Sequence, residues 1–236
     1  MKEKESTHTN ILAIITKDRD RTNILKKHEQ DLIAFLVQRI PKWINSDMLT
    51  GIGMVGTLIT MSCFILAHFY SRTFLLLGIL GFIINWFGDS LDGRLAYYRN
   101  TPRKWYGFSL DFIVDWFTNI CIGIGYIVYA EGYYELLGFV FVVLYGWAMM
   151  MALLRYKIID KYTIDSGIFG PTEVRIILSV ILVLEVLVKD SINYSGVVAC
   201  LILLVINIKE FRSLLIIADQ RDKQDKQAKE EQVSHE

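Results

Sequence analysis

The chain has 236 residues, 53% of them hydrophobic, with 25 Lys and Arg balanced by 25 Asp and Glu and a mean hydropathy of +0.36. The apolar excess is concentrated in uncharged runs at 48–71, 73–88, 136–154 and 191–208. Three of these reach the roughly 18–20 residues a helix needs to cross a bilayer core, which excludes a secreted enzyme, a disordered scaffold and a nucleic-acid binder and leaves a multispanning membrane protein.

Residues 1–45 are polar and charged and lack the apolar core of a signal peptide, so this segment is expected to stay attached. Within it, Ile24, Leu25, Leu32, Phe35, Leu36, Ile40 and Trp43 recur at helical spacing, with Lys26, Lys27, Glu29 and Arg39 between them. That pattern predicts an amphipathic helix over 24–44 lying in the membrane interface, kinked or ended at Pro41. Six spans follow, at about 48–69, 74–96, 107–130, 134–155, 172–188 and 194–213. Cys63, Cys121 and Cys200 all fall inside apolar runs and have neither metal-ligand spacing nor a disulfide framework.

Orientation follows from the cationic residues. Of the 25 Lys and Arg, 23 fall in the N-terminal segment, the 2–3 connection, the 4–5 connection with Arg175 and the C-terminal end, whereas Arg72 and Lys189 alone occupy the other side. The positive-inside rule then puts both termini in the cytoplasm and requires an even number of spans. The expected fold is all-α and integral to the membrane: a cytoplasmic and interfacial segment at 1–45, a six-helix transmembrane domain at 46–215 and a charged cytoplasmic tail at 216–236.

The chemistry is concentrated at the junction of the second and third spans. Asp89, Asp92, Gly93 and Ala96 fall at i, i+3, i+4 and i+7, hence on one helical face where two carboxylates share space with two minimal side chains. Gly107, Asp111, Asp115 and Asn119 form a second stripe at four-residue spacing. A short connection makes these helices expected antiparallel neighbours, with all four aspartates at or just below one membrane surface. Each carboxylate costs about 2.5–3.5 kcal/mol to insert, and four together repel one another. Divalent cations with oxygen ligands resolve both problems, and a pair of them can clamp a diphosphate. Carboxylates paired with Arg94, Arg99 or Arg103 as interface glue, or lining a cation path, are the competing readings. The first does not account for the small-residue face, and the second normally places its groups near the midplane.

The pattern resembles the signature of the CDP-alcohol phosphatidyltransferases, D-x2-D-G-x2-A-R-x8-G-x3-D-x3-D, matched here by Asp89, Asp92, Gly93, Ala96, Gly107, Asp111 and Asp115. Tyr97 stands where the motif has arginine, and the spacer before Gly107 is one residue longer; Arg99 is the nearest substitute guanidinium. The resemblance implies that Asp89, Asp92, Asp111 and Asp115 hold two Mg²⁺ or Mn²⁺ ions. It also makes Asp115 the general base on an acceptor hydroxyl, and Gly93 and Ala96 the residues that leave room for a cytidine nucleotide. Ser46-Asp47-Met48-Leu49-Thr50 resembles the family's nucleotide-binding start, which makes Thr50 a nucleotide contact together with Asp92 and Arg99. A homodimer is likewise implied.

Arg155, Lys157, Lys161 and Arg175 cluster around the 4–5 connection. Arg155 and Arg175, near helix ends, are candidate ligands for a phosphorylated acceptor, whereas Lys157 and Lys161 read as ordinary positive-inside residues. The expected activity is transfer of a phosphatidyl group from CDP-diacylglycerol to a small alcohol, such as inositol, inositol phosphate or glycerol phosphate, with release of CMP. The expected place is the cytoplasmic membrane, with the site facing the cytoplasm. The alternatives are a CDP-headgroup:diacylglycerol phosphotransferase of the same family and a carboxylate-lined cation transporter.

Overall fold

The computed structural model describes residues 25–159 and 171–234. Seven α-helices occur there: α1 (Lys26–Val37), α2 (Ser46–Phe69), α3 (Leu75–Tyr98), α4 (Lys104–Tyr129), α5 (Glu135–Ile159), α6 (Pro171–Leu187) and α7 (Ser191–Ser234). Short 3-10 turns at Arg72–Phe74 and Gly132–Tyr134 introduce α3 and α5, and the described residues contain no strand. The all-helical expectation is met.

Five helical stretches are long and apolar enough to cross a membrane: Ser46–Phe69, Arg72–Tyr98, Lys104–Tyr129, Gly132–Ile159 and Ser191–Gln227. The 17 residues of α6 reach about 26 Å, slightly less than the ~30 Å of a hydrocarbon core. Exposed aromatic residues gather at both ends of the bundle, with Trp43, Trp105 and Tyr106 at one and Phe69, Tyr70 and Tyr133 at the other. Amphipathic rings of this kind sit at membrane–water interfaces. The protein is an integral membrane protein.

The helices close into a ring. α2 packs on both α3 and α4; α3 packs on α6, α6 on α7, α7 on α5 and α5 on α4. Among the described residues α3 and α4 do not pack along each other, contrary to the neighbour relation inferred from their short connection. α2 backs them both, so their polar faces look at each other across a gap.

Glycine explains the tight half of this arrangement. A Cβ on Gly88 would lie 2.3 Å from Gly53 N and from Leu49 O, and one on Gly56 would lie 2.4 Å from Asn85 N. The α2 and α3 backbones therefore touch, as small residues permit in membrane helices. Thr60 Oγ1 donates to Gly78 O at 3.1 Å, and Asn85 Nδ2 donates to Gly53 O at 3.2 Å across the same interface.

Local sequence sets the ends of the helices. The Asn45 side chain accepts from Met48 N at 2.8 Å and caps α2. α3 stops in a Schellman arrangement: Asn100 takes φ +57°, Thr101 N donates to Ala96 O at 2.9 Å, and Asn100 N donates to Tyr97 O at 3.1 Å, just before Pro102. α1 ends at Val37, four residues before Pro41, and buries Ile33, Ala34 and Val37 against Leu49, Leu91 and Leu95. Leu32 and Phe35 stay exposed on its outer side, available to an interface. α7 continues unbroken through the charged 216–236 region as far as Ser234, beyond the span expected to end near residue 213. Lys161 lies outside the described residues.

Candidate active site

Asp89 lies on α3 about two and a half turns before its end, and Asp111 and Asp115 lie one turn apart on α4. Backed by α2, the two helices aim these side chains at one point. One carboxylate oxygen from each of the three lies within 4.8 Å of the others, and all three residues are half-buried. Asp111 and Asp115 are five and nine residues past Tyr106, about 8 and 14 Å along α4 from the aromatic belt.

Asp92, one turn beyond Asp89, stands outside this group of three. It is buried, and its Oδ2 accepts from Thr50 Oγ1 at 2.6 Å. Its Oδ1 accepts from Gly93 N, and its backbone carbonyl accepts from Ser46 Oγ at 2.7 Å. Thr50 and Asp92 are thus brought together, and the start of α2 is tied to the α3 carboxylate face. Gly93 and Ala96 continue that face half-buried, while the Cβ position of Gly107 opens into free space.

α6 contributes the cation. Arg175 Nη2 donates to Asp89 Oδ2 at 2.6 Å and its Nε donates to Asn85 Oδ1 at 2.8 Å, while Nη1 is buried without a hydrogen-bond partner. Asn85 in turn donates to Thr57 Oγ1 at 3.1 Å, which pairs with Thr118 Oγ1 at 3.1 Å. Asn119 Nδ2 donates to the Asp115 carbonyl at 2.7 Å, and the Tyr145 phenol of α5 lies beside the Asn119 amide, facing Asp115, Asp89 and Arg175. The start of α6 is anchored twice more, by Trp86 Nε1 donating to Thr172 Oγ1 at 3.1 Å and Leu25 N donating to Glu173 Oε1 at 3.0 Å.

Two other arginines picked from the sequence are engaged elsewhere. Arg99 donates to the carbonyls of Ile40, Pro41 and Ile44 and so fixes the linker between α1 and α2. Arg155 pairs with Glu210 and Ser213 on α7, away from the three carboxylates. Arg103 pairs with Asp47. Sequence reasoning missed Asn85 and Tyr145. Asn85 sits one turn before Asp89 on the same stripe, a readable signal, whereas nothing in the apolar run around Tyr145 marks it.

Three carboxylates against one guanidinium leave an excess of negative charge in a poorly solvated place, which favours a hard cation. Atoms no more than 4.8 Å apart can all lie within about 2.8 Å of one point. Metal–oxygen distances for Mg²⁺ and Ca²⁺ are about 2.0–2.6 Å, so small side-chain rotations suffice and the residues fit a divalent ion.

A search of curated proteins finds no match to this chain. The family model for CDP-alcohol phosphatidyltransferase matches residues 43–208, well over half the chain and including Asp89, Asp92, Asp111 and Asp115. Members of that family are transferases that use CDP-alcohol substrates and an alcohol acceptor in membranes and generally depend on divalent metal. On that match, the chain belongs to the CDP-alcohol phosphatidyltransferase family.

Proposed function

We propose that the chain transfers a phosphatidyl group from CDP-diacylglycerol to a small alcohol, a polyol or polyol phosphate such as inositol, inositol phosphate or glycerol phosphate, and releases CMP. The observation that carries this reading is the convergence of Asp89, Asp111 and Asp115 beside Arg175, whose Nη1 is buried and unpartnered. A carboxylate group alone suits many cations. A carboxylate group with a spare guanidinium donor next to it suits a site that must bind a metal and an anionic acceptor together.

In this reading Asp89, Asp111 and Asp115, with Asp92 on release from Thr50, would hold two ions, Mg²⁺ or Mn²⁺, which would supply charge neutralisation for the donor diphosphate and the phosphoryl oxygens. Asp115 accepts the proton of the acceptor hydroxyl. That oxygen bonds to the phosphorus carrying the diacylglycerol, the bond from this phosphorus to the bridging oxygen breaks, and the electron pair leaves with CMP. Thr50, Asp92, Gly93 and Ala96 form the nucleotide side. Arg99 supports it by holding the linker that leads into Thr50. Arg175 binds the acceptor phosphate, and Arg155 can join it only by leaving Glu210.

The same reading takes α6 as a sixth span, both termini as cytoplasmic, the site as open to the cytoplasm across the cytoplasmic membrane, and the protein as a homodimer. The test is CMP release by purified protein in detergent, with CDP-diacylglycerol, Mg²⁺ or Mn²⁺ and single acceptors. Release that requires both metal and one acceptor is expected. Turnover only with a CDP-headgroup and diacylglycerol would move the chain to the other donor class. Nucleotide-independent cation flux in proteoliposomes, without CMP release, would replace the reading with transport.

A further inference from the structure

The helices α3, α4 and α6 give the site its charged groups, and α5 gives it a neutral one. Tyr145 is half-buried on α5, with its phenol beside the Asn119 amide and facing Asp115, Asp89 and Arg175. The transfer steps described above leave this hydroxyl idle.

The backbone on either side of Tyr145 is pinned. Toward α4, Gly146 lies against the Trp116 ring, where a Cβ would be 2.6 Å from Cζ3 and 2.7 Å from Cη2. Toward α7, Asn207 Nδ2 donates to Leu144 O at 2.8 Å, and Asn207 is only 1% exposed. Trp116 follows Asp115 directly, so the contact between Gly146 and Trp116 puts Tyr145 level with Asp115. The Asn119 amide beside the phenol itself donates to the Asp115 carbonyl at 2.7 Å. Depth and rotation of Tyr145 are thus set by α4 and α7 together. Apolar packing alone would be served as well by phenylalanine, which lacks the oxygen that faces the site.

In the phosphatidyl-transfer reading the acceptor reaches from its phosphate at Arg175 to its attacking hydroxyl at Asp115, and Tyr145 faces both ends of that span. A guanidinium only donates and an ionised carboxylate only accepts, whereas a phenol does both without charge. Its natural complement is another hydroxyl. We propose that Tyr145 sets acceptor specificity: its phenol hydrogen-bonds a hydroxyl of the acceptor other than the attacking one, so that the chain selects a polyol phosphate over a phosphate with a single hydroxyl. The proposal rests on the phosphatidyl-transfer reading and deepens it, since the carboxylates and Arg175 would serve any phosphorylated alcohol. An acceptor without the second hydroxyl leaves the phenol unpartnered, and that is how a polar site rejects a deoxygenated analogue.

The test uses the full chain in detergent and measures kcat/KM for acceptors at saturating CDP-diacylglycerol. Glycerol phosphate is compared with propanediol phosphate, which lacks the middle hydroxyl, and inositol phosphate with its singly deoxygenated analogues. Wild type should prefer the intact acceptor that it turns over to at least one analogue by roughly three- to tenfold, the worth of one hydrogen bond. Tyr145→Phe deletes the oxygen and keeps the ring. It should lose that preference, with kcat/KM for the analogue and KM for CDP-diacylglycerol unchanged. Tyr145→Met, which also lacks the hydroxyl, takes its place if the phenylalanine variant does not fold. A preference that survives in the variant overturns the proposal. So does an equal fall with the intact acceptor and the analogue, the mark of a merely structural phenol. Wild type that accepts every analogue as well as the intact acceptor overturns it without any variant, while CMP release leaves phosphatidyl transfer standing. Wild type that releases no CMP with any acceptor removes the phosphatidyl-transfer reading itself, and this proposal with it.

Discussion

Arg175 holds its guanidinium as a fork, with Nε on Asn85, Nη2 on Asp89 and Nη1 buried without a hydrogen-bond partner. Lysine offers a single ammonium and cannot make the two fixed contacts, so Arg175→Lys and Arg175→Gln should both raise KM for a phosphorylated acceptor by roughly tenfold to a hundredfold. KM for CDP-diacylglycerol should change far less, and initial-rate kinetics varying each substrate in turn would separate the two. Asp115→Asn keeps the size of the side chain but removes its basicity. Turnover should fall by about 10²–10⁴, the usual worth of a positioned base, while equilibrium binding of CDP-diacylglycerol stays within a few-fold. Retained turnover would remove Asp115 from that role. The four aspartates were legible because a helix converts three- and four-residue spacing into one face, which needs no knowledge of the partner helix. Arg175 was legible only as a cation near a helix end. Its pairing with Asp89, 86 residues away, depends on α6 packing against α3, and no local pattern encodes that. The same holds for Tyr145, and for the diversion of Arg155 to Glu210 on a helix whose register against α5 cannot be read from either segment alone.

At the scale of elements, contact between the α2 and α3 backbones depends on bare Cα positions. Gly88→Ala places a methyl 2.3 Å from two backbone atoms that no side-chain rotation can move, so the helices must separate. Overpacking of this kind costs about 1–3 kcal/mol, and thermal unfolding in detergent should show a lowered melting temperature. Gly107→Ala, at a helical position with nothing within 4 Å, should leave that temperature unchanged or slightly raised, since alanine is the better helix former by up to about 1 kcal/mol. A comparable fall in both variants would mean that helix propensity and not interhelical contact governs the response. The helices themselves were readable to within a few residues at most ends, because uncharged runs and punctuation such as Asn100-Thr101-Pro102 are local signals. The feature that differs is a relation between elements. A short connection between α3 and α4 suggested direct packing, but the glycine face of α3 binds α2 more closely than any side-chain contact with α4 could. α7 runs on past the end of its apolar stretch to Ser234, in keeping with a helix in water after Ala218. The Lys, Glu and Gln that follow are strong helix formers, and pairs such as Asp219 and Lys223, 2.7 Å apart, support the continuing turns.

At the scale of the whole molecule, charge and structure can be set against each other in one measurement of sidedness. The 23 cationic residues assigned to one face include Arg155, Arg175, Lys223 and the cluster Arg99, Arg103 and Lys104, whereas Arg72 and Lys189 belong to the other. The ring agrees with this division: Arg103 begins α4 at the end near the carboxylates, and Lys189 sits in the corner between α6 and α7 at the end near Tyr126 and Asn193. Moving such charges across a bilayer is costly, so a single topology should dominate. Cys63 and Cys200 are buried and Cys121 is half-buried, which leaves a low labelling background for introduced thiols. In sealed inside-out vesicles, a membrane-impermeant maleimide should label Lys223→Cys rapidly and Lys189→Cys only after permeabilisation; in right-side-out vesicles the order should reverse. That outcome would place the carboxylate end with the cytoplasm, where a water-soluble nucleotide is made and where CMP must return. Labelling of both positions from the same side would require α7 not to cross the membrane, and with it the ring would have to be abandoned. Labelling of Lys189→Cys from the cytoplasmic side alone would invert the protein and separate the site from its nucleotide supply.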